Sequence, residues 1–346
     1  MKIKSTLLML TALLVSASAF ASFPLYPYLD NYRIPLDKKG AVIGKIFFTT
    51  SENIKIDYSI VQDTSNLFSI DKSGNLCLKP GKSLSTENGA YSFGVKIKTG
   101  NIVKEFELVK DEFLTNKAIA HRGAWKNTGY TENSLGSLKS AIELGCGASE
   151  FDIWMAADGV PIINHDPHAG GLEVEKTESS VLTKVEHKKG DFLATLEQYL
   201  LTAKGQNKTA LVLEIKTSLV SNERLMELTE KVVKMVHDLK MQAWVNYISF
   251  DHSCLVRVLE LDPAAKTAYL DKKMTLNQLK DSKMWGIDFH LSMFKEDANL
   301  ITNAHDLGLT VNAWTVNKAE DMQMLLDRGV DFITTNEPEM LLKMLK

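Results

Sequence analysis

Two patterns of apolar and polar positions divide the chain near Asp111. Before it, short β-prone runs such as Lys45-Ile46-Phe47-Phe48, Ile54-Lys55-Ile56-Asp57-Tyr58 and Tyr91-Ser92-Phe93-Gly94-Val95-Lys96-Ile97 are separated by turn residues, among them Asp71-Lys72-Ser73-Gly74-Asn75 and Lys79-Pro80-Gly81. Turn signals about every 8 to 12 residues between such runs predict a small antiparallel β-sandwich. It is expected to occupy residues 22–112.

After Asp111 the pattern changes to short apolar strands alternating with amphipathic helical stretches, which signals βα units on a parallel sheet. Strands are predicted at Ala118–His121, Ser149–Trp154, Ala210–Lys216, Trp244–Phe250, Thr267–Leu270, Gly286–His290, Thr310–Val316 and Phe332–Thr335. Helices fill the gaps, as at Ser134–Leu144 with Gly145 as C-cap, Asn222–Leu239 and Lys318–Leu326. Eight such strands close a barrel. Residues 113–346 are therefore read as an α/β unit, a (β/α)₈ TIM barrel starting near Lys117. A further strand, Val160–His165, follows Asp158-Gly159. A two-residue turn joins only antiparallel neighbours, so this segment is expected to fold back on the second barrel strand as a hairpin.

The first residues follow a different logic. Lys2 and Lys4 precede an apolar core from Leu7 to Val15, and Ala19-Phe20-Ala21 offers a small-x-small cleavage site. This predicts a signal peptide over residues 1–21, a mature chain from near Ser22 and a periplasmic or secreted protein. The apolar core falls short of the roughly 20 residues of a spanning helix, so no stable membrane insertion is expected after cleavage. A formal net charge of -3 and the lack of a basic run argue against a nucleic-acid partner. Cys77, Cys146 and Cys254 are too few and too scattered for a disulfide framework, and are expected as small buried hydrophobes.

Strand alternation decides which polar residues matter. Glu150 and Asp152 point one way, as do Glu214 and Lys216, while Phe151, Ile153, Leu213 and Ile215 face the helices. The acids then converge at the C-terminal mouth of the barrel, where catalytic groups of this fold sit. Three converging carboxylates repel unless a cation joins them, and all-oxygen ligation suits a hard ion such as Mg²⁺ or Ca²⁺. A lone Glu-x-Asp would more simply be a salt-bridged surface pair. His121 and His165 stand at strand ends and suit proton transfer near neutral pH. Arg122 offers a fork of donors to phosphate oxygens, and Lys216 a point charge. Together these residues point to an anionic phosphodiester.

His121-Arg122-Gly123, Thr131-Glu132-Asn133-Ser134, Glu150-Phe151-Asp152, Asp158-Gly159-Val160-Pro161, His165-Asp166 and Glu214-Ile215-Lys216 stand in the order and approximate spacing of the glycerophosphodiester phosphodiesterase family, which the chain resembles from about Ala118 to Leu345. Ser249-Phe250, Trp314-Thr315-Val316 and Gly329 to Thr335 also look like that family's closing features. The resemblance implies metal-dependent hydrolysis of glycerophosphodiesters to an alcohol and glycerol phosphate. It assigns a divalent cation, Mg²⁺ or Ca²⁺, to Glu150, Asp152 and Glu214, acid and base roles to His121 and His165, and phosphate contacts to Arg122 and Lys216. It leaves open whether a neighbouring glycerol hydroxyl or water attacks the phosphorus. Trp314, on the same strand face as Asn312, is expected to wall the glycerol carbons or to fill the barrel core.

Two departures bear on the rim: Asn336 stands where the family commonly has Asp, and Pro167-His168-Ala169-Gly170-Gly171 replaces the usual continuation. The following segment is also short for the family's inserted subdomain, and His168 is read as a rim residue. Tyr58-Ser59-Ile60, Leu67-Phe68-Ser69-Ile70-Asp71 and Gly74-Asn75-Leu76 resemble a cadherin-like repeat without its calcium clusters. The N-terminal domain is therefore expected to pack or adhere, contacting a surface or polymer, and to take no part in the chemistry. The alternatives are a lysophospholipid or phosphoinositide phosphodiesterase on the same barrel, and a non-catalytic binding protein or adhesin.

Overall fold

The computed structural model describes residues 27–48, 57–87 and 89–346. The expected leader at 1–21 and most of the strand expected at 54–58 lie outside them. Eight strands precede the barrel: β1 (Pro27–Leu29), β2 (Arg33–Ile34), β3 (Val42–Phe48), β4 (Tyr58–Asp63), β5 (Phe68–Ile70), β6 (Asn75–Leu78), β7 (Ser92–Thr99) and β8 (Ile102–Lys110). They form two four-stranded sheets, ordered β1-β3-β6-β5 and β2-β8-β7-β4. Alternation explains their facing surfaces: Val95, Ile97 and Thr99 of β7 are buried while Lys98 is exposed. Phe68 meets Phe93 edge-on across the two sheets at 5.9 Å between centroids. One detail corrects the antiparallel expectation, because β2 runs parallel to β8. That strand has two residues, and Arg33 reaches out of it to donate from Nε to the Ala243 carbonyl of the barrel at 2.8 Å. Tertiary contact, not strand pattern, sets its direction.

The barrel strands are β9 (Ala118–Ala120), β10 (Ala148–Met155), β14 (Ala210–Ile215), β15 (Val245–Ser249), β16 (Lys266–Tyr269), β17 (Gly286–His290), β18 (Thr310–Trp314) and β19 (Phe332–Thr335), with the short β11 (Pro161–Ile163), β12 (His168–Ala169) and β13 (Leu172–Glu173) between β10 and β14. The eight pair in parallel around a ring that closes through β19 with β9 and β9 with β10. The expected hairpin forms: β11 lies antiparallel on β10, with Ile163 opposite Ile153. Outward residues pack on helices, as Phe151 stacks on Tyr199 of helix Leu196–Ala203 at 4.2 Å. Inward residues are left to the barrel axis.

The β-sheets dock on the face of the barrel opposite its mouth. Asn207 Nδ2 donates to the Lys110 carbonyl at 3.1 Å and the Tyr91 hydroxyl donates to the Lys204 carbonyl at 2.9 Å, while Phe113, in the connection after β8, meets Trp244 edge-on at 5.7 Å. Trp244 and Asn207 lie just before β15 and β14, at the N-terminal ends of the strands.

Candidate active site

Strand β10 carries Glu150 and Asp152 inward, and its register sets Asp152 beside Glu214 of β14. The three acids are buried, and one oxygen from each lies within 4.8 Å of the others. Burial, then the neighbouring Asp152 and Glu214 charges, raises the Glu150 carboxyl well above the usual carboxylate range. Burial and Asp152 push Glu214 up to about 8, against the pull of Lys216. Burial also opposes ionisation of Asp152, but Lys216, His165, Asn133 and Arg122 outweigh it and hold this acid low. Such a cluster carries more negative charge than its surroundings neutralise, and its donors are all oxygen. It fits a hard divalent cation.

The turn after β9 brings the cationic and imidazole groups to the same place. Arg122 adopts φ 57 and Gly123 φ 79, the left-handed region. At Gly123 a Cβ would come within 2.4 Å of Ser137 Oγ, so the His-Arg-Gly turn needs glycine both for its dihedral and for this approach. The backbone N–H of Arg122 donates to Glu150 Oε2 at 2.8 Å, and its Nη1 to Glu132 Oε1 at 2.8 Å. Asn133 clasps Asp152, donating from Nδ2 to Oδ2 at 2.9 Å and accepting the Asp152 backbone N–H at 3.1 Å. Ser134 caps the helix Leu135–Leu144 in a capping box with Ser137. The Thr131-Glu132-Asn133-Ser134 stretch thus orients the arginine, one acid and the helix start. This stretch stood out in the sequence as a motif, but the contacts of Glu132 with Arg122 and of Asn133 with Asp152 were not assigned from it.

His121 Nε2 lies 4.0 Å from Glu150 Oε2, and His121 Nδ1 is bonded to Asn336 Oδ1 at 2.8 Å. An amide oxygen only accepts, so Nδ1 bears the hydrogen and Nε2 presents its lone pair. Burial and the Arg122 charge push the His121 imidazole down to about 4, against the Asn336 hydrogen bond. His165 pairs through Nδ1 with Asp166 Oδ1 at 2.7 Å, and its carbonyl accepts from the Trp154 indole at 3.0 Å. Trp154 is itself held by the small apolar cluster of Ile162, Val174, Leu182 and Leu193 beyond the hairpin. Lys216 Nζ lies 2.8 Å from Glu214 Oε1 and 3.3 Å from Asp152 Oδ1.

These groups share a cavity of about 150 Å³. His121, Arg122, Glu150, His165, Glu214 and Lys216 form one wall, and Ile248, Phe250, Leu270 and Trp314 contribute an apolar one. Trp314 meets Phe250 edge-on at 5.7 Å, and its indole donates to the Asp288 carbonyl at 2.9 Å. His168 is exposed and bonded through its carbonyl to Asn164, away from this wall. Asp288, also lining the cavity, was not among the residues singled out from sequence.

The sequence profile of the Glycerophosphoryl diester phosphodiesterase family matches residues 121–340. The chain is 26% identical over 242 residues to a glycerophosphodiester phosphodiesterase of Caldanaerobacter subterraneus subsp. tengcongensis, covering 66% of this chain and 97% of that protein. A crystal structure of a glycerophosphodiester phosphodiesterase from Parabacteroides distasonis is 34% identical, with a TM-score of 0.64 over 68% of this chain and 98% of that one. A phosphodiesterase of Oleispira antarctica, solved in complex with the product sn-glycerol-3-phosphate, shares the fold at 23% identity and a TM-score of 0.59, over 66% of this chain and 96% of that one. With the matched segment spanning barrel, turn and mouth, the chain belongs to the glycerophosphoryl diester phosphodiesterase family, and is an enzyme of that class.

Proposed function

We propose that the enzyme hydrolyses glycerophosphodiesters to an alcohol and glycerol phosphate with a divalent cation, Mg²⁺ or Ca²⁺, held by Glu150, Asp152 and Glu214. The observation that carries this reading is the convergence of three buried carboxylates within 4.8 Å, two of which, Glu150 and Glu214, line one cavity with two histidines, Arg122 and Lys216. A bound cation at such a cluster neutralises the acids and draws charge from a phosphoryl oxygen.

The chain's own groups supply the rest. Among the described residues the Arg122 guanidinium donates a hydrogen bond from Nη1, to Glu132, with Nε 3.8 Å from Asp152, and Lys216 completes a positive wall for the phosphoryl group. His121, neutral with a lone pair on Nε2, takes the proton of the attacking hydroxyl. His165, whose Nδ1 is tied to Asp166, protonates the departing alkoxide. Trp314 covers the glycerol carbons. The product bound in the Oleispira antarctica relative, sn-glycerol-3-phosphate, is the product expected here.

The test is release of glycerol phosphate from glycerophosphocholine by the purified enzyme with Ca²⁺, with Mg²⁺ and with chelator, alongside a lysophospholipid. Full activity in chelator, or in Glu150→Ala, would remove the proposed metal site. Turnover of the lysolipid alone would replace the substrate class.

A further inference from the structure

Asp288 is a buried carboxyl that the chemistry above does not use. Strand alternation on β17 turns Ile287 and Phe289 into the outer core and Asp288 toward the axis, in register with Asn312 of β18. Around the ring, β17 stands four strands from β10 and β18 four strands from β14. In an eight-stranded barrel that is the diametrically opposite position. Asp288 and Trp314 therefore face the Glu150 and Glu214 wall across one cavity.

The carboxyl is held firmly and only by half. Asn312 Nδ2 donates one hydrogen to Asp288 Oδ1 at 2.7 Å and the other to Thr334 Oγ1 at 2.8 Å, which uses up the amide's donors and fixes the acid's orientation. The Asp288 carbonyl accepts the Trp314 indole at 2.9 Å, so the acid and the apolar wall move as one piece. Oδ2 has no partner among the described residues, and no cation pairs with the group, although the residue is only 2% exposed. A buried carboxyl with one oxygen left without a partner is costly to the fold, since burial disfavours its charge and the Asn312 hydrogen bond returns only part of the lost hydration. A partner from outside the chain would satisfy it.

We propose that Asp288 is a specificity-determining residue whose Oδ2 binds the glycerol hydroxyl farthest from the phosphate, with Trp314 over the adjoining carbons. The assignment rests on the proposed glycerophosphodiester activity and names what reads the glycerol. A hydroxyl suits this carboxyl because it donates to the ionised form and accepts from the protonated one, and burial pushes Asp288 up to about 7, where both forms exist. A cationic headgroup suits it less, because the protonated acid would not attract it.

The experiment compares kcat/KM for glycerophosphocholine with that for the analogue whose terminal glycerol hydroxyl is replaced by hydrogen, propane-1,2-diol 1-phosphocholine, in full-length enzyme with added divalent cation. The wild type should prefer the glycerol compound by on the order of 10- to 100-fold, the range of a hydrogen bond to a charged or buried group. Asp288→Leu should bring that ratio close to one, and Asp288→Asn, which keeps a donor and an acceptor, should retain much of it. If the Leu variant misfolds by circular dichroism, the Asn variant is compared with Asp288→Ser, and the affinity of glycerol 3-phosphate is set against that of propane-1,2-diol 1-phosphate by calorimetry. Equal losses on both substrates, or no wild-type preference, would make Asp288 structural and overturn the assignment. Loss of choline preference over a neutral headgroup, with the hydroxyl preference intact, would overturn it in favour of a headgroup contact. A wild type inactive on both diesters would refute the proposed function, and the role of Asp288 with it.

Discussion

Replacing Glu214 with glutamine should stabilise the enzyme in chelator and weaken it in divalent cation. Without a cation, the Glu214 carboxyl is pushed up from 4.5 to about 8 by burial and by Asp152. A carboxyl raised in this way costs stability progressively as pH rises from the unfolded value through the folded one, and the cost is complete above the folded value. At pH 7 the unfolded chain has released this proton while the folded chain still holds most of it; the gap of roughly 2.5 pH units, at about 1.4 kcal/mol each, comes to roughly 3 kcal/mol. Glutamine keeps the shape and removes the charge. The 2.8 Å pair with Lys216 is lost, but its benefit is already inside that figure, and Lys216 keeps Asp152 at 3.3 Å. In chelator at pH 7 the variant should therefore be more stable by roughly 2 to 3 kcal/mol, with the gain fading as pH falls toward about 4.5. Cation at about 100 times its Kd should stabilise the wild type by roughly 2.7 kcal/mol, and the variant, short of one ligand, by much less. The gap between the two proteins should close or reverse. Urea denaturation followed by circular dichroism, with EDTA or with Ca²⁺ or Mg²⁺, between about pH 5 and 8 covers the window in which the term changes. Equal stability of the two proteins in EDTA throughout, or an undiminished gain from cation in the variant, would refute the reasoning.

His121→Ala and His165→Ala should each lower turnover by on the order of 10²-fold, and the double variant should lose less than the product of the two, because both act in one transition state; strictly multiplicative losses in single-turnover rates would mean that they act separately. Asn336→Asp should raise the proton affinity of His121, now pushed down to about 4, because a carboxylate would face Nδ1 where an amide oxygen stands at 2.8 Å. The acid limb of the kcat/KM profile should then move to higher pH, and an unmoved limb would assign it to another group. A barrel expressed from Asp111 onward should still turn over a soluble diester but unfold more easily, because the β-sheets bond Lys204, Asn207 and Ala243 on the face away from the mouth. A folded but inactive barrel would show that the N-terminal sheets complete the site.

Much of the barrel was legible because parallel strands buried on both faces must be apolar wherever they meet helices. Phe151, Ile153, Leu213 and Ile215 satisfy that demand, so Glu150, Asp152 and Glu214 stand out among them as residues that packing does not explain. The hairpin was legible for a different reason: Gly159 takes φ 80, a conformation that the Asp-Gly turn anticipates. The N-terminal sheets were less so. The parallel pairing of Arg33-Ile34 with Val109-Lys110 is too short to leave a pattern, and it depends on an arginine that reaches the barrel.

Asp288 shows why part of the site stayed hidden. Gly286-Ile287-Asp288-Phe289-His290 alternates much as Ser149-Glu150-Phe151-Asp152-Ile153 does, so alternation identifies an inward acid in both. It does not tell which inward residues reach the mouth, because that depends on how the ring closes and on the stagger between its strands. Asn336 is hidden in another way, visible in the sequence only as a departure from the family's Asp. In the folded chain its amide oxygen still bonds His121 Nδ1, which fixes the tautomer that a carboxylate would also fix. It brings no charge, so burial and Arg122 hold the imidazole near 4. Orientation of the ring and its proton affinity are separable duties of one position, and this chain keeps the first while giving up the second.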